Sequence, residues 1–143
     1  DPVAGLTEMG RVTKPGGVVA ACVWDLAGGR SPLESFWQAA RGLDGGIEDE
    51  SERAGTRQGH LLELFQSAGF HNVTGVPLQV EVVHETFEEW WEPYTLGGVG
   101  PVGIYLSSLS RDKLRELEER CALIVGPGPI SISAVAWAAR GVA

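Results

Sequence analysis

Cysteine is scarce in this chain of 143 residues: only Cys22 and Cys121 occur, far apart and each inside an apolar run. A disulfide framework needs several cysteines at close spacing, so two buried free thiols are expected. With no secretory pattern in the sequence, the reducing cytoplasm is the expected compartment. Histidine is thin as well. His60, His71 and His84 have no H-x-x-x-H or C-x-x-C companion, which leaves a metal site without ligands. No serine sits in a G-x-S-x-G setting, so an elbow nucleophile is unsupported. The longest apolar stretch, Val18 to Trp24, is far short of the ~20 residues a membrane helix needs. Positive charge is in deficit, with 11 Lys and Arg against 19 Asp and Glu and a net charge of −8. That balance argues against nucleic acid, whose phosphates demand a basic surface, and equally against anionic lipid.

What the chain does have is glycine: 20 residues, roughly twice the ordinary share, with no period of three. At 43% hydrophobic and 21% charged it has the composition of one soluble globular domain, turn-rich and of α/β or β type. Val3, Leu6, Met9 and Val12 recur every third residue, marking a short helix with Asp1 as N-cap and Pro2 in its first turn. Pro15-Gly16-Gly17 stops it. Val18 to Trp24, apolar at every position, then reads as a strand from the buried middle of a parallel sheet. Leu33, Phe36, Trp37 and Ala40 have helical spacing, and the acidic stretch from Gly42 to Gly59 reads as a mobile surface loop. His60 to Ala68 is a helix closed by Gly69 and covered by Phe70. Asn72 to Glu85 alternates, with Val76, Leu78, Val80 and Val82 on one face, as in a half-buried strand. Thr86 with Glu89 fits a capping box ahead of Trp90, Trp91 and Tyr94. A glycine-rich loop leads to Ser110, the N-cap of a helix striped by Leu114, Leu117, Cys121 and Ile124. Gly126-Pro-Gly-Pro129 breaks that helix before a last strand, Ile130 to Arg140.

Two patterns invite a functional reading. Gly98-Val-Gly100-Pro-Val-Gly103 matches the dinucleotide pattern G-x-G-x-x-G. That chemistry needs a strand before the loop and a helix opening after it, so that N–H groups point at a pyrophosphate. Here a Trp-rich helix precedes it and Pro101 removes a donor, so the stretch reads as an inter-helix loop and not a cofactor loop. The aromatic residues are more suggestive. Trp24-Asp25 lies where an open α/β sheet places its ligands, beyond the carboxyl end of a strand. Phe36, Trp37, Trp90, Trp91 and Tyr94 either roof a pocket for a flat or apolar ligand or glue a helical cap to the sheet.

These residues together resemble a family. Asp1-Pro2, then Leu6-x-Glu8-Met9-x-Arg11-Val12-x-Lys14-Pro15-Gly16-Gly17 and a strand ending Trp24-Asp25, are similar to the second half of a class I S-adenosylmethionine-dependent methyltransferase. Leu64-Phe65-x-x-Ala68-Gly69-Phe70-x-x-Val73 is similar to that family's next helix and the turn into its sixth strand. The resemblance covers essentially the whole chain. It implies an α/β fold: the C-terminal part of a Rossmann-like sheet of three strands, the last antiparallel and inserted between its two predecessors. Residues 1–85 and 126–143 would form the sheet and its flanking helices, and 86–125 a helical cap insert on the substrate side, all within a single partial domain.

The family grips its cofactor with a glycine-rich loop after the first strand and an acidic residue ending the second. Neither has a counterpart here, so no residue carries over as cofactor-binding, no catalytic residue is assigned, and S-adenosylmethionine is not expected to bind this chain. The resemblance implies a portion of a methyltransferase acting on a small molecule. The portion would contribute the substrate wall through Trp24, Asp25, Trp37, Trp90, Trp91 and Tyr94 and be inactive alone. The alternative is a non-catalytic ligand-binding or assembly domain that keeps half of the enzyme fold. In either case an open strand edge or bare helix-packing face is expected to make a homo-oligomer.

Overall fold

The computed structural model describes residues 1–47, 50–97 and 100–143. Among them are six helices and three strands: α1 (Pro2–Val12), β1 (Val18–Trp24), α2 (Glu34–Leu43), α3 (His60–Ser67), β2 (His71–His84), α4 (Phe87–Thr95), α5 (Pro101–Ser108), α6 (Arg111–Val125) and β3 (Ile130–Val142). The chain divides into two compact units. The first holds 1–31, 51–80 and 134–143, and the second holds 32–50 and 81–133.

Local chemistry sets the helix ends. Asp1 Oδ1 accepts from the N–H groups of Val3 and Ala4, two donors that the first turn of α1 leaves without an intrahelical partner. Helix α3 ends in a Schellman motif. Gly69 takes φ +88°, its N–H donates to Gln66 O, and the Phe70 N–H donates to Phe65 O. Phe70 then folds its ring against Phe65, the centroids 5.1 Å apart. Thr86 caps α4 by accepting from the Glu89 N–H, and the Glu89 carboxylate reaches back to the N–H of Glu85.

The strands form one sheet in the order β1-β3-β2, with the last strand in the centre. β3 runs antiparallel to β1, Val18 opposite Val142 and Trp24 opposite Ala136. Against β2 the numbering also runs in opposite directions, since Arg140 meets Thr74 while Ser131 meets Glu81. In the first unit, Leu6 of α1 and Leu61, Leu64 and Phe65 of α3 pack on one sheet face with Phe70, Val19, Ala21, Val23 and Ala139. Gly10 lets α1 approach that core, because a Cβ there would stand 3.3 Å from the Phe70 ring. The second unit has its own core of Phe36, Trp37, Ala40, Trp90, Trp91, Tyr105, Leu117, Cys121 and Ile130.

Four expectations need correction. β1 is the edge of an antiparallel sheet, not the middle of a parallel one, and its residues alternate between exposed and half-buried. β2 is exposed on both faces, Val76 at 58% and Val83 at 52%, so its alternation does not mark one buried side. Cys22 is exposed; only Cys121 is a buried thiol. Residues 101–108 are helix α5, opened by Pro101 after Gly100, where the glycines suggested a loop. Gly98 and Val99 of that motif lie outside the described residues. In the acidic stretch after α2, Thr56 is buried and its hydroxyl lies 2.7 Å from the carbonyl oxygens of both Ser51 and Arg53. Glu48 and Asp49, also in that stretch, are not among the described residues.

Candidate functional site

The predicted site residues fall into two groups. Trp24 and Asp25 belong to the first unit, at the end of β1; Trp37, Trp90, Trp91 and Tyr94 belong to the second. Within the second unit, α2 supplies Phe36 and Trp37, and α4 supplies Trp90, Trp91 and Tyr94 at helical spacing. Their rings lie against one another. Phe36 stacks on Tyr94 with centroids 5.0 Å apart and interplanar angle 17°, and meets Trp37 edge-on at 5.2 Å. Trp90 lies 5.0 Å from Tyr94, and Phe87 stacks on Trp91 at 6.1 Å. Offset and edge-to-face arrangements of this kind suit the ring quadrupoles.

Trp37 and Trp90 are each 2% exposed, so a ligand touching their faces has to displace a neighbouring ring. Two polar atoms in this apolar setting, Trp37 Nε1 and Tyr105 Oη, are buried without a hydrogen-bond partner among the described residues. Burial pushes the Tyr94 and Tyr105 hydroxyls above the ordinary phenol range, and it pushes the Cys121 thiol up to about 12. These three groups are neutral at physiological pH, and none is poised for proton transfer there.

Asp25 is built differently. It is 1% exposed, and both carboxylate oxygens are engaged: Oδ1 accepts from the Gly28 N–H at 3.0 Å and Oδ2 from Arg30 Nε at 2.6 Å. Any side chain at position 28 would collide with that carboxylate, which explains the glycine. The Arg30 guanidinium lies over the Trp137 ring, 5.3 Å from its centroid. The backbone completes a clamp, since Asp25 N–H donates to Val135 O and Val135 N–H to Arg30 O. In this arrangement the carboxylate fixes the turn after β1 against β3. Asp25→Ala is expected to cost about 2–3 kcal/mol, less than a fully buried pair because Arg30 is half in solvent. Urea unfolding tests this, and a change below about 0.5 kcal/mol would mean the carboxylate holds nothing.

Arg30 and Trp137 escaped the sequence reading, because a five-residue spacing across a glycine loop and a contact to the far end of the chain leave no periodic signal. The same is true of a shallow trough of about 650 Å³ on the sheet face away from α1 and α3, lined by Ala20, Cys22, Thr74, Val76, Ala138 and Arg140. Among the described residues no three His, Cys, Asp or Glu side chains converge to hold a metal ion. No helix among them is long and apolar enough to cross a membrane. No family model matches the sequence, and comparison with curated proteins returns no match.

Proposed function

We propose that the chain is a portion of an S-adenosylmethionine-dependent methyltransferase acting on a small molecule, and that it contributes the substrate-side wall. The observation that carries this reading is the strand order β1-β3-β2, with the last strand antiparallel between its predecessors, as the resemblance implies. The helix, Pro15-Gly16-Gly17 turn and strand that open the chain, and the Gly69-Phe70 turn into β2, support it further.

The residues present do not fit the cofactor itself. A ribose calls for a carboxylate free to accept its hydroxyls, and Asp25, at the end of β1, already accepts from Gly28 and Arg30. Isothermal titration with S-adenosylmethionine is expected to give no binding heat, and micromolar binding would overturn the division of labour proposed here. A glycine-rich G-x-G-x-G loop encoded upstream of Asp1 in the genomic reading frame would support methyl transfer, whereas a stop codon there would favour the second reading.

That second reading is a non-catalytic binding or assembly domain. Its assembly form is favoured by the aromatic cluster, which stands closed as a core rather than open as a substrate or ligand pocket. Standing as a separate chain, it would meet a second copy through an exposed sheet edge or helix-packing face.

A further inference from the structure

The net charge is unevenly shared. The first unit carries five Asp and Glu against six Lys and Arg, and the second fourteen against five. Within the second unit this acidic surplus meets an apolar surface. A groove of about 620 Å³ lies between the start of α4 and the end of α6, lined by Phe87, Glu88, Glu119, Ala122, Leu123 and Pro127. Leu123 is 86% exposed there, whereas Leu117 and Cys121 of the same helix are fully buried.

Three features make the groove negative. The capping box of α4 is completed by Thr86 and Glu89, which leaves the Glu88 carboxylate out of it. Neither Glu88 nor Glu119 has a side-chain hydrogen bond or ion pair among the described residues. The nearest arginines of α6 are engaged elsewhere, Arg120 with Glu116 at 2.8 Å and Arg115 with Asp112 at 3.4 Å. The last turn of α6 carries no basic residue, so nothing in the helix offsets its negative end. No lining residue is Lys or Arg. The groove is short of positive charge and of apolar cover at once.

We propose that this groove docks a basic amphipathic helix of a partner protein. The apolar face of that helix covers Phe87, Ala122 and Leu123, and its Lys or Arg side chains meet Glu88 and Glu119. The sign of the charge disfavours the other large partners, because nucleic acid phosphates and anionic lipid headgroups are repelled. The groove is also open to solvent, whereas a small-molecule pocket encloses most of its ligand. Apolar contact supplies the affinity here, and the carboxylates supply on-rate and register. The groove lies wholly within the second unit and includes none of the residues assigned to the substrate wall. The proposal therefore stands apart from methyl transfer.

The probe is a fluorescein-labelled peptide of about five helical turns, with Leu at i, i+3, i+4 and i+7 and Lys elsewhere. Its anisotropy is measured against the protein expressed from its whole reading frame, at low and at physiological salt. Saturable binding that weakens with salt is expected. Leu123→Ser should lose about tenfold in affinity, and the double variant Glu88→Gln with Glu119→Gln about fivefold. All three positions are exposed, so the variants keep the fold, which circular dichroism checks. A peptide of the same composition with its leucines scrambled should bind about tenfold more weakly, since charge alone does not fill the groove. No binding, equal binding of the scrambled peptide, or variants that bind like the parent overturns the proposal. A segment of a longer polypeptide already seated in the groove gives no binding and counts against it equally. Titration with S-adenosylmethionine leaves these outcomes untouched, so the two readings fail separately.

Discussion

Phe36→Ala is expected to cost about 3–5 kcal/mol and to lower the melting midpoint by roughly 8–16 °C. Phe36 is fully buried, and its ring touches Trp37, Trp91, Tyr94 and Tyr105. Removing it leaves a ring-sized void among large flat side chains that cannot all shift inward together. The loss is a large part of the ~5–15 kcal/mol that separates folded from unfolded states in ordinary domains. Near-UV circular dichroism, read through the surrounding tryptophans, follows the transition. The outcome also bears on function. A core gives the full penalty, whereas a cost below about 1 kcal/mol would show that the rings have room to rearrange, as a ligand pocket requires.

Alkaline pH should destabilise the protein strongly. Cys121 is fully buried, and burial, helped by the nearby Glu118 charge, raises its thiol to about 12. In the unfolded chain a thiol titrates near its ordinary ~8.5. Because the folded state holds its proton to higher pH, the unfolded state ionises first. Stability is therefore complete below about pH 8.5 and drains away as pH climbs toward 12. The thiol's share is on the order of 4 kcal/mol by the upper end, and Tyr94 and Tyr105, shifted in the same direction, add to it above about pH 10. Urea midpoints measured at several pH values between 8 and 11 should fall steeply. Cys121→Ala should flatten the fall by the thiol's share, and parallel curves for parent and variant would show that the thiol is not responsible.

The features that could be read from the sequence are those whose causes lie within a few residues. Asp1 caps α1, Gly69 closes α3 and Thr86 opens α4 because each acts on backbone groups two to four positions away. The central place of β3 came from the likeness to a family and not from periodicity. Burial was harder to read. Val76, Leu78, Val80 and Val82 alternate correctly for a strand, but alternation says which residues share a face and nothing about what covers it. Helix α5 was missed because Pro101 to Ser108 has no amphipathic stripe and contains Gly103; Tyr105, anchored among the aromatic rings, holds it by tertiary contact. In the candidate site the aromatic residues were identifiable by type and helical spacing, whereas their closure into a core depends on side chains from α2, α4 and α5 meeting in space.

The pairing of the first strand with the last also governs how the protein is made. β1 leaves the ribosome well before its ladder partner, which is encoded more than a hundred residues later, from Trp24 with Ala136 to Val18 with Val142. At ~5–20 residues per second, translation leaves that apolar segment waiting for several seconds or longer. A nascent chain stalled before residue 130 holds β1 without β3, so the backbone groups that bond to that strand stay open to other partners until β3 emerges.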